Sequence, residues 1–219
     1  MTAGFGQDSA LIALGGADQV YMIERDPIVA LLLKDAIRRL RLFASICGND
    51  DYDDTFLISD RKRILQLANK LKLIIGDGAT ILNTIASSSS SSSSRKQIDN
   101  DNDNGNDKII NYPLPDVCYL DPMFPPRTKS AAVKKNIQIL HGLLSTNELQ
   151  TDDIEDIRAS SEQSLLESAL NHARMRVVVK RPIHSPTLGA ESGSSIRKPS
   201  FDIRGSVNRW DVYMNIMNT

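Results

Sequence analysis

Short apolar runs alternate with longer amphipathic segments along most of the chain. Residues 27–45 repeat apolar positions every three or four residues, which is typical of a helix with one buried face. Further helices are predicted at 60–70, from the turn at 76–78 to about 86, and at 130–144 and 162–172. Strands are predicted at 19–23, 73–75, 117–120 and 175–179. A C-terminal hairpin is predicted from strands at 200–204 and 209–214. This order predicts an α/β fold with a mainly parallel sheet and a C-terminal antiparallel hairpin.

One low-complexity stretch interrupts this rhythm. Eight consecutive serines begin at residue 87, and Asp and Asn dominate the dozen residues that follow. Such a composition buries too little apolar surface to offset the entropy of ordering, so residues 87–108 are expected to be a disordered insertion. Because strands and helices resume directly afterwards, the 219 residues are expected to form a single domain, 1–219.

The formal net charge of −1 hides an uneven distribution of charged residues. Three stretches, 50–54, 99–107 and 148–156, hold 13 of the 27 acids and no Lys or Arg. The rest of the chain therefore carries 26 basic and 14 acidic residues, which favours a phosphate-rich partner over a purely structural role for the cations. Solvated helix faces are the alternative for any single basic cluster.

Several classes of protein are disfavoured by the remaining composition. The longest apolar run, 28–33, is too short to cross a bilayer. The two cysteines, Cys47 and Cys118, lack the spacing of a metal site or a disulfide framework, and the three histidines are scattered. The sequence predicts no metal and no membrane partner, and a reduced compartment. The cytoplasm is expected, with an organelle as the alternative.

Two features near the N-terminus predict a nucleoside-containing cofactor. Gly4 and Gly6 precede an apolar helix at 10–14, and glycines there let the backbone approach a ligand at the helix N-terminus. Glu24 ends the next strand, where a carboxylate can bind the two hydroxyls of a ribose. After the following strand, Asp77 could reach the exocyclic amine of an adenine. The alternatives are a structural turn for the two glycines, a helix-capping or solvent-facing acid for Glu24, and a plain turn for Asp77.

The most informative motif runs from 119 to 127 and follows the third strand. Asp121 can accept a hydrogen bond from an exocyclic amine, and Phe124 can stack on the base that carries it. Pro122 and Pro125 restrict the backbone and help to hold those groups in place. This order of residues predicts group transfer to an exocyclic amine of a nucleobase, with Asp121, Pro122 and Phe124 as the catalytic residues. An ordinary proline-rich β–α loop is the alternative.

These motifs resemble the signatures of the RsmJ-type small-subunit ribosomal RNA guanine-N2 methyltransferases. The resemblance covers nearly the whole chain except the acidic and serine-rich insertions. It is carried by residues 2–8, 23–27, 121–125 continuing through 129–135, 177–182 and 208–213. It implies a Rossmann-like fold, S-adenosylmethionine as methyl donor, and small-subunit ribosomal RNA or the small ribosomal subunit as partner.

The resemblance also implies roles for individual residues. The family's cofactor contacts correspond here to Gln7, Asp8, Glu24, Arg25, Asp77, Gly78 and Asp121, beside the glycine turn of Gly4 and Gly6. At 77–78 the family more usually has small hydroxyl residues. The candidates for RNA phosphate contacts are Arg127, Lys134, Lys135, Lys180 and Arg181, with salt bridges to neighbouring acids as the alternative.

One departure from the family's pattern concerns the start of the chain. A strand usually precedes the glycine turn and lies in the middle of the sheet, whereas here Met1 stands directly at the turn. We therefore expect a truncated homologue that lacks its first central strand and has a gap in the sheet. The competing functions are an inactive RNA-binding protein, an amine methyltransferase acting on DNA or protein, and a nicotinamide-dependent oxidoreductase.

Overall fold

A computed structural model describes residues 3–46, 55–89, 112–122, 151–188 and 196–215. Five helices and six strands lie in these ranges. The helices are α1 (Gln7–Leu14), α2 (Pro27–Ile46), α3 (Thr55–Lys70), α4 (Gly78–Ser89) and α5 (Thr151–His172). The strands are β1 (Val20–Glu24), β2 (Leu71–Ile75), β3 (Val117–Leu120), β4 (Arg176–Pro182), β5 (Phe201–Arg204) and β6 (Asn208–Met214).

The described strands form two hydrogen-bonded sheets. In the first, β1 and β2 are parallel, with Val20 opposite Leu71. In the second, the strand order is β3-β4-β6-β5; β3 and β4 are parallel, whereas β6 runs antiparallel to both of its neighbours. The α/β class and the terminal antiparallel hairpin are thus confirmed.

Helices cover the first sheet on both faces. Met22 and Leu71 pack beneath α1 and α2, where Ala13 and Ile37 complete one buried cluster. On the opposite face, strand residues pack against Ile81 and Ile85 of α4. Because both faces of this short parallel pair are buried, its strands are apolar rather than alternating.

The larger core lies between the second sheet and helices α4 and α5. Val177, Val179 and Tyr213 are fully buried there against Leu166 of α5. Leu82 of α4 joins the same cluster, so α4 packs against both sheets. The alternating burial along β4 directs every second side chain into this core and the intervening ones to the other face.

The local sequence pattern located the strands well, although β2 and β4 are each two residues longer than predicted and β6 begins one residue earlier, at Asn208. The prediction for β3 matches the strand residue for residue. The second strand begins at Leu71 rather than 73, because buried Leu71 pairs with Val20. The fourth continues to Pro182 rather than 179, because β6 pairs with all seven of its residues. Lys180 and Arg181 therefore belong to the sheet because they pair with residues of β6.

Helix boundaries differ more from the sequence prediction. α5 begins at Thr151 instead of 162. α4 continues to Ser89, so the first three serines of the expected insertion are helical. Residues 90–108 and the helix predicted at 130–144 lie outside the described residues. Within the described ranges, none of the helices has the length and apolar character needed to span a membrane.

Candidate functional site

The glycine turn before α1 has the backbone geometry that the sequence suggested. Gly4 and Gly6 have φ values of 55° and 74°, in the left-handed region that side-chain-bearing residues disfavour. A Cβ at Gly6 would lie 3.0 Å from Leu33 Cδ2, so the turn is also tightly packed. The first turn of α1, with Gln7 and Asp8, begins directly after it.

Glu24 ends β1 and is the most unusual carboxylate in the described structure. Only 1% of the residue is exposed, and its Oε1 accepts a hydrogen bond from the Asp26 amide at 2.9 Å. Its second oxygen, Oε2, is buried and has no hydrogen-bond partner among the described residues. A buried acceptor without a donor costs about 1–3 kcal/mol. This position therefore suits a ligand that supplies hydroxyl donors, as a ribose does.

Asp77 lies at the end of β2 and serves as the cap of α4. Its Oδ1 accepts hydrogen bonds from the Thr80 amide at 2.9 Å and the Thr80 hydroxyl at 3.0 Å. Burial raises the pKa of Asp77, but the bonds from Thr80 outweigh it, and the pKa lies below its usual value. Asp77 thus has a structural role at this turn, where a plain turn was the alternative considered. An adenine contact by Asp77 or Gly78 stays a prediction.

Arg25 follows Glu24 and lies near two other candidate elements. Its Nη1 is 3.4 Å from the Ser161 hydroxyl of α5, and its charge contributes to lowering the pKa of Asp77. The backbone also joins the ends of β1 and β2, because the Gly76 amide donates to the Glu24 carbonyl at 2.9 Å. Candidates from two strand ends are thus brought together at one edge.

A second group of polar side chains joins α1 to the second sheet. Lys180 Nζ lies 2.7 Å from Asp8 Oδ2 and 3.1 Å from Asp121 Oδ2. The hydroxyl of Tyr119 donates to the same Asp8 oxygen at 2.8 Å. We call these four residues the Asp8–Lys180 cluster. Asp8 and Asp121, which are far apart in sequence and both cofactor candidates, are therefore linked through one ammonium group.

The two carboxyl groups of this cluster have opposite pKa shifts. Burial raises the pKa of Asp8, but hydrogen bonds from Lys180 and Tyr119 outweigh it, so the pKa lies below its usual value. Burial also raises the pKa of Asp121, and the nearby Asp8 charge adds to it; Lys180 offsets these only in part. The pKa of Tyr119 is raised by burial and by its bond to Asp8. Asp8 is thus the stronger acid of the pair.

The first turn of α1 lies beside both sheets. A Cβ at Gly6 would be 3.8 Å from Met22 Sδ in β1, while Asp8, two residues later, contacts Tyr119 in β3 and Lys180 in β4. The glycine turn therefore lies beside β1, whose last residue is Glu24, and Asp8 is joined through Lys180 to the carboxylate that follows β3. Pro122, which follows Asp121, is buried.

The two described RNA-contact candidates have partners within the fold. Arg181 is 8% exposed; its Nε donates to the Pro186 carbonyl at 3.1 Å, and its Nη1 lies 3.9 Å from Glu162. Lys180 is held by Asp8 and Asp121. These are the salt bridges named as the alternative, and phosphate contacts by either cation stay predictions. The remaining candidates lie outside the described residues: Phe124, Arg127, Lys134 and Lys135.

Two features of the site were missed at the sequence level. No role was assigned to Tyr119, although its position two residues before Asp121 puts both on one side of an extended chain. Arg209 and Asp211 were also unassigned; Arg209 Nε lies 2.7 Å from Asp211 Oδ1, and Asp211 is 1% exposed. Period-two spacing in β6 was the available signal for that buried pair. The part of the chain that the structure describes contains no group of three or more potential metal ligands.

The fold and this region define a class of protein. A parallel α/β sheet with a glycine turn, a carboxylate after the next strand and an acid–proline motif is typical of nucleoside-cofactor enzymes of Rossmann-like fold. The chain matches the family model described as "Putative SAM-dependent methyltransferase" over residues 1–75 and 91–215. The protein belongs to that family, and the cofactor of the family is S-adenosylmethionine (SAM).

Individual relatives give a more specific likeness. The chain is 32% identical over 212 residues to ribosomal RNA small subunit methyltransferase J of Cellvibrio japonicus, covering 97% of this chain and 59% of the relative. It is 34% identical over 213 residues to the protein of that name from Colwellia psychrerythraea, covering 97% and 55%. The chain thus spans under three-fifths of the length of these relatives.

A solved structure supports the fold assignment. The crystal structure of a SAM-dependent methyltransferase from Neisseria gonorrhoeae superposes with a TM-score of 0.53 at 26% identity. The match covers 97% of this chain and 59% of that one. The Rossmann-like methyltransferase fold expected from the resemblance is confirmed.

Proposed function

We propose that this protein takes part in methyl transfer from SAM to the exocyclic N2 amine of a guanine in small-subunit ribosomal RNA. The observation that carries the proposal is the buried Glu24 carboxylate, whose Oε2 has no donor within the described structure. A ribose diol would supply the missing donors. The ribosomal RNA substrate is taken from the names of the relatives, and the excess of basic residues outside the acidic stretches supports it.

The residues present fit this cofactor. Gly4 and Gly6 let the chain approach a ligand at the N-terminus of α1, and Glu24 accepts hydrogen bonds from the ribose hydroxyls. Gln7, Asp8, Arg25, Asp77 and Gly78 complete the proposed cofactor-binding set. When bound, SAM supplies an electrophilic methyl group.

Asp121 is the proposed catalytic residue. Its carboxylate accepts a hydrogen bond from the guanine amine and orients the nitrogen lone pair toward the methyl carbon. Phe124 stacks on the base, and Pro122 restricts the backbone between them. The bound cofactor would supply its methyl group for direct in-line transfer to N2, with S-adenosylhomocysteine as the leaving group; the proton that N2 then loses would pass to water, and no covalent enzyme intermediate would form. Because the guanine amine is a weak nucleophile, positioning and electrostatics should dominate the rate.

The test is tritiated methyl incorporation into purified small ribosomal subunits, followed by mass spectrometry of the nucleosides. The wild-type chain is expected to yield N2-methylguanosine, and Asp121→Ala is expected to lose at least a hundredfold in rate. The matched control is Asp116→Ala at the other end of β3, whose carboxylate is exposed and pairs with Arg174 at 3.2 Å. Equal rates for the two variants would remove Asp121 from the mechanism.

Parallel substrates distinguish the alternatives. Methylation of naked DNA or protein instead of ribosomal RNA would favour another amine methyltransferase. RNA binding without affinity for S-adenosylhomocysteine would favour a protein that only binds RNA. Calorimetric binding of NAD in place of S-adenosylhomocysteine would favour an oxidoreductase.

A further inference from the structure

We infer that Lys180 is a positioning residue that joins Asp8 of α1 to Asp121 after β3 and keeps the Asp121 carboxylate charged. One ammonium group lies 2.7 Å from Asp8 Oδ2 and 3.1 Å from Asp121 Oδ2. It therefore bridges the cofactor turn and the proposed amine-binding carboxylate, which lie in different layers of the fold. The inference rests on the proposed function for its catalytic consequence, but not for its geometry.

The alternation of β4 fixes the direction of the Lys180 side chain. Val177 and Val179 are fully buried in the core beneath α5, and Arg181 lies on that same face of the strand. Lys180 consequently faces the opposite side, toward α1. Only 21% of its side chain is exposed, compared with 56% for Arg174 just before β4. This burial suits an internal bridge better than a contact to an RNA phosphate.

The charges around Lys180 explain why a cation is needed there. The titratable groups that face Lys180 from the packed elements are Asp8 from α1, Tyr119 from β3 and Asp121 directly after β3. In β6, neutral Trp210 lies opposite Lys180 in register. Two carboxylates that share one site raise each other's pKa unless a cation compensates them. Burial lowers the pKa of Lys180, but Asp8 and Asp121 outweigh this and the pKa lies above its usual value. The ammonium therefore stays charged while both acids ionise.

Loss of Lys180 would act mainly on Asp121. Asp8 keeps its hydrogen bonds with Tyr119 and Asp121, which lower its pKa. The pKa of Asp121, by contrast, is raised by burial, by the Asp8 charge and by the hydrogen bond with Asp8. A protonated Asp121 would have less capacity to accept the guanine N–H. The acid limb of the pH–rate profile should then move to higher pH together with the Asp121 titration.

The inference is tested by carboxyl 13C NMR titration of the full chain without cofactor or RNA. The Asp121 signal is assigned with Asp121→Asn, and Lys180→Gln and Lys180→Arg are compared with wild type. In Lys180→Gln the Asp121 midpoint should rise by about one pH unit or more, a tenfold change in its ionisation constant. Lys180→Arg should stay near the wild-type midpoint, because it retains the positive charge.

A matched control separates this effect from a general loss of positive charge. Lys70 lies near the other end of α1, where its Nζ donates to the Ala13 carbonyl at 3.1 Å. Lys70→Gln should leave the Asp121 midpoint unchanged. A Lys180→Gln midpoint within a few tenths of a unit of wild type would overturn the inference.

A second variant keeps the test decisive if Lys180→Gln does not fold. In Asp8→Asn the repulsion from Asp8 is removed while Lys180 is retained, so the Asp121 midpoint should fall below wild type. A rise would contradict the bridging role. Because these titrations involve no substrate, their failure is distinct from failure of the proposed function, which would appear as full activity in Asp121→Ala.

Discussion

Replacing Glu24 with Gln tests whether its buried carboxylate exists for ligand binding. Glutamine keeps the shape of the side chain and one acceptor oxygen for the Asp26 amide, which donates to Oε1 at 2.9 Å. It removes the charge and replaces the second oxygen with an NH2 group. Oε2 has no partner in the described structure, so the substitution breaks no hydrogen bond identified there.

The expected effects on affinity and on stability have opposite signs. Hydrogen bonds to a charged group contribute about 1.5–3 kcal/mol, so affinity for S-adenosylhomocysteine should fall about 10- to 100-fold. A neutral amide is less costly than a carboxylate to bury without a donor, so the unliganded variant should be as stable as wild type or more stable. A gain of about 1 kcal/mol would raise Tm by about 2–4 °C in a chain of this length.

Isothermal titration calorimetry and thermal unfolding measure both effects on the same samples. Asp26→Ala is the matched control, because Asp26 Oδ1 accepts hydrogen bonds from the Ile28 and Val29 amides at 2.9 Å and caps α2. It should lose about 1 kcal/mol of stability and keep its affinity. If Glu24→Gln bound S-adenosylhomocysteine as tightly as wild type, or unfolded several degrees earlier, the carboxylate would be structural and the reasoning refuted.

Three further substitutions, one of them with Gly4→Ala as its control, test the surroundings of the site. Asp77→Ala should lower the free energy of unfolding, measured with urea at neutral pH, by about 1 kcal/mol. Because the pKa of Asp77 in the folded protein lies below its ordinary value of 3.8, this loss of stability should persist above pH 3.8. It should vanish as the pH falls through the pKa of the folded protein. Gly6→Ala should lower the free energy of unfolding by about 1–2 kcal/mol because of the positive φ, and by more because the new Cβ meets Leu33 Cδ2. Gly4→Ala has open space around its Cβ and should show the backbone cost alone. Equal losses of stability in the two variants would contradict this. Tyr213→Phe should leave Tm unchanged or raised, since the buried hydroxyl has no partner among the described residues, and a loss above about 1 kcal/mol would indicate one.

Elements whose signals are local could be predicted from the sequence. β3 was located residue for residue, and β1 within one residue, because a short apolar run bounded by polar residues and turns carries its own signal. β2 and β4 were predicted too short, because their end residues carry no strand signal of their own and join the sheet only by pairing with a neighbouring strand. The start of α5 was missed because its first turns are mostly polar and lack an apolar period.

In the candidate site, too, local features could be predicted from the sequence and tertiary contacts could not. Position at a strand end was enough to single out Glu24 and Asp121, because ligands in open α/β sheets bind at the carboxyl ends of strands. The partner of a side chain was not predictable, since Lys180 and Asp8 are 172 residues apart in sequence. The role of Asp77 could not be decided either, because an acid before a helix satisfies both the capping and the ligand-binding pattern.

The structure also changes where an RNA contact is to be sought. In sequence, Lys180 and Arg181 form a basic pair after an apolar strand, and such a pair suggests phosphate binding. Because side chains alternate along a strand, Lys180 instead contacts the carboxylates beside α1, whereas Arg181 lies beneath α5 and its Nε donates to the Pro186 carbonyl. The side chains of Lys180 and Arg181 are 21% and 9% exposed, so withdrawing either cation from its acid partner would leave a partly buried charge uncompensated. If ribosomal RNA is the substrate, its phosphates should therefore be bound mainly by other cations, and among the predicted contacts those are Arg127, Lys134 and Lys135.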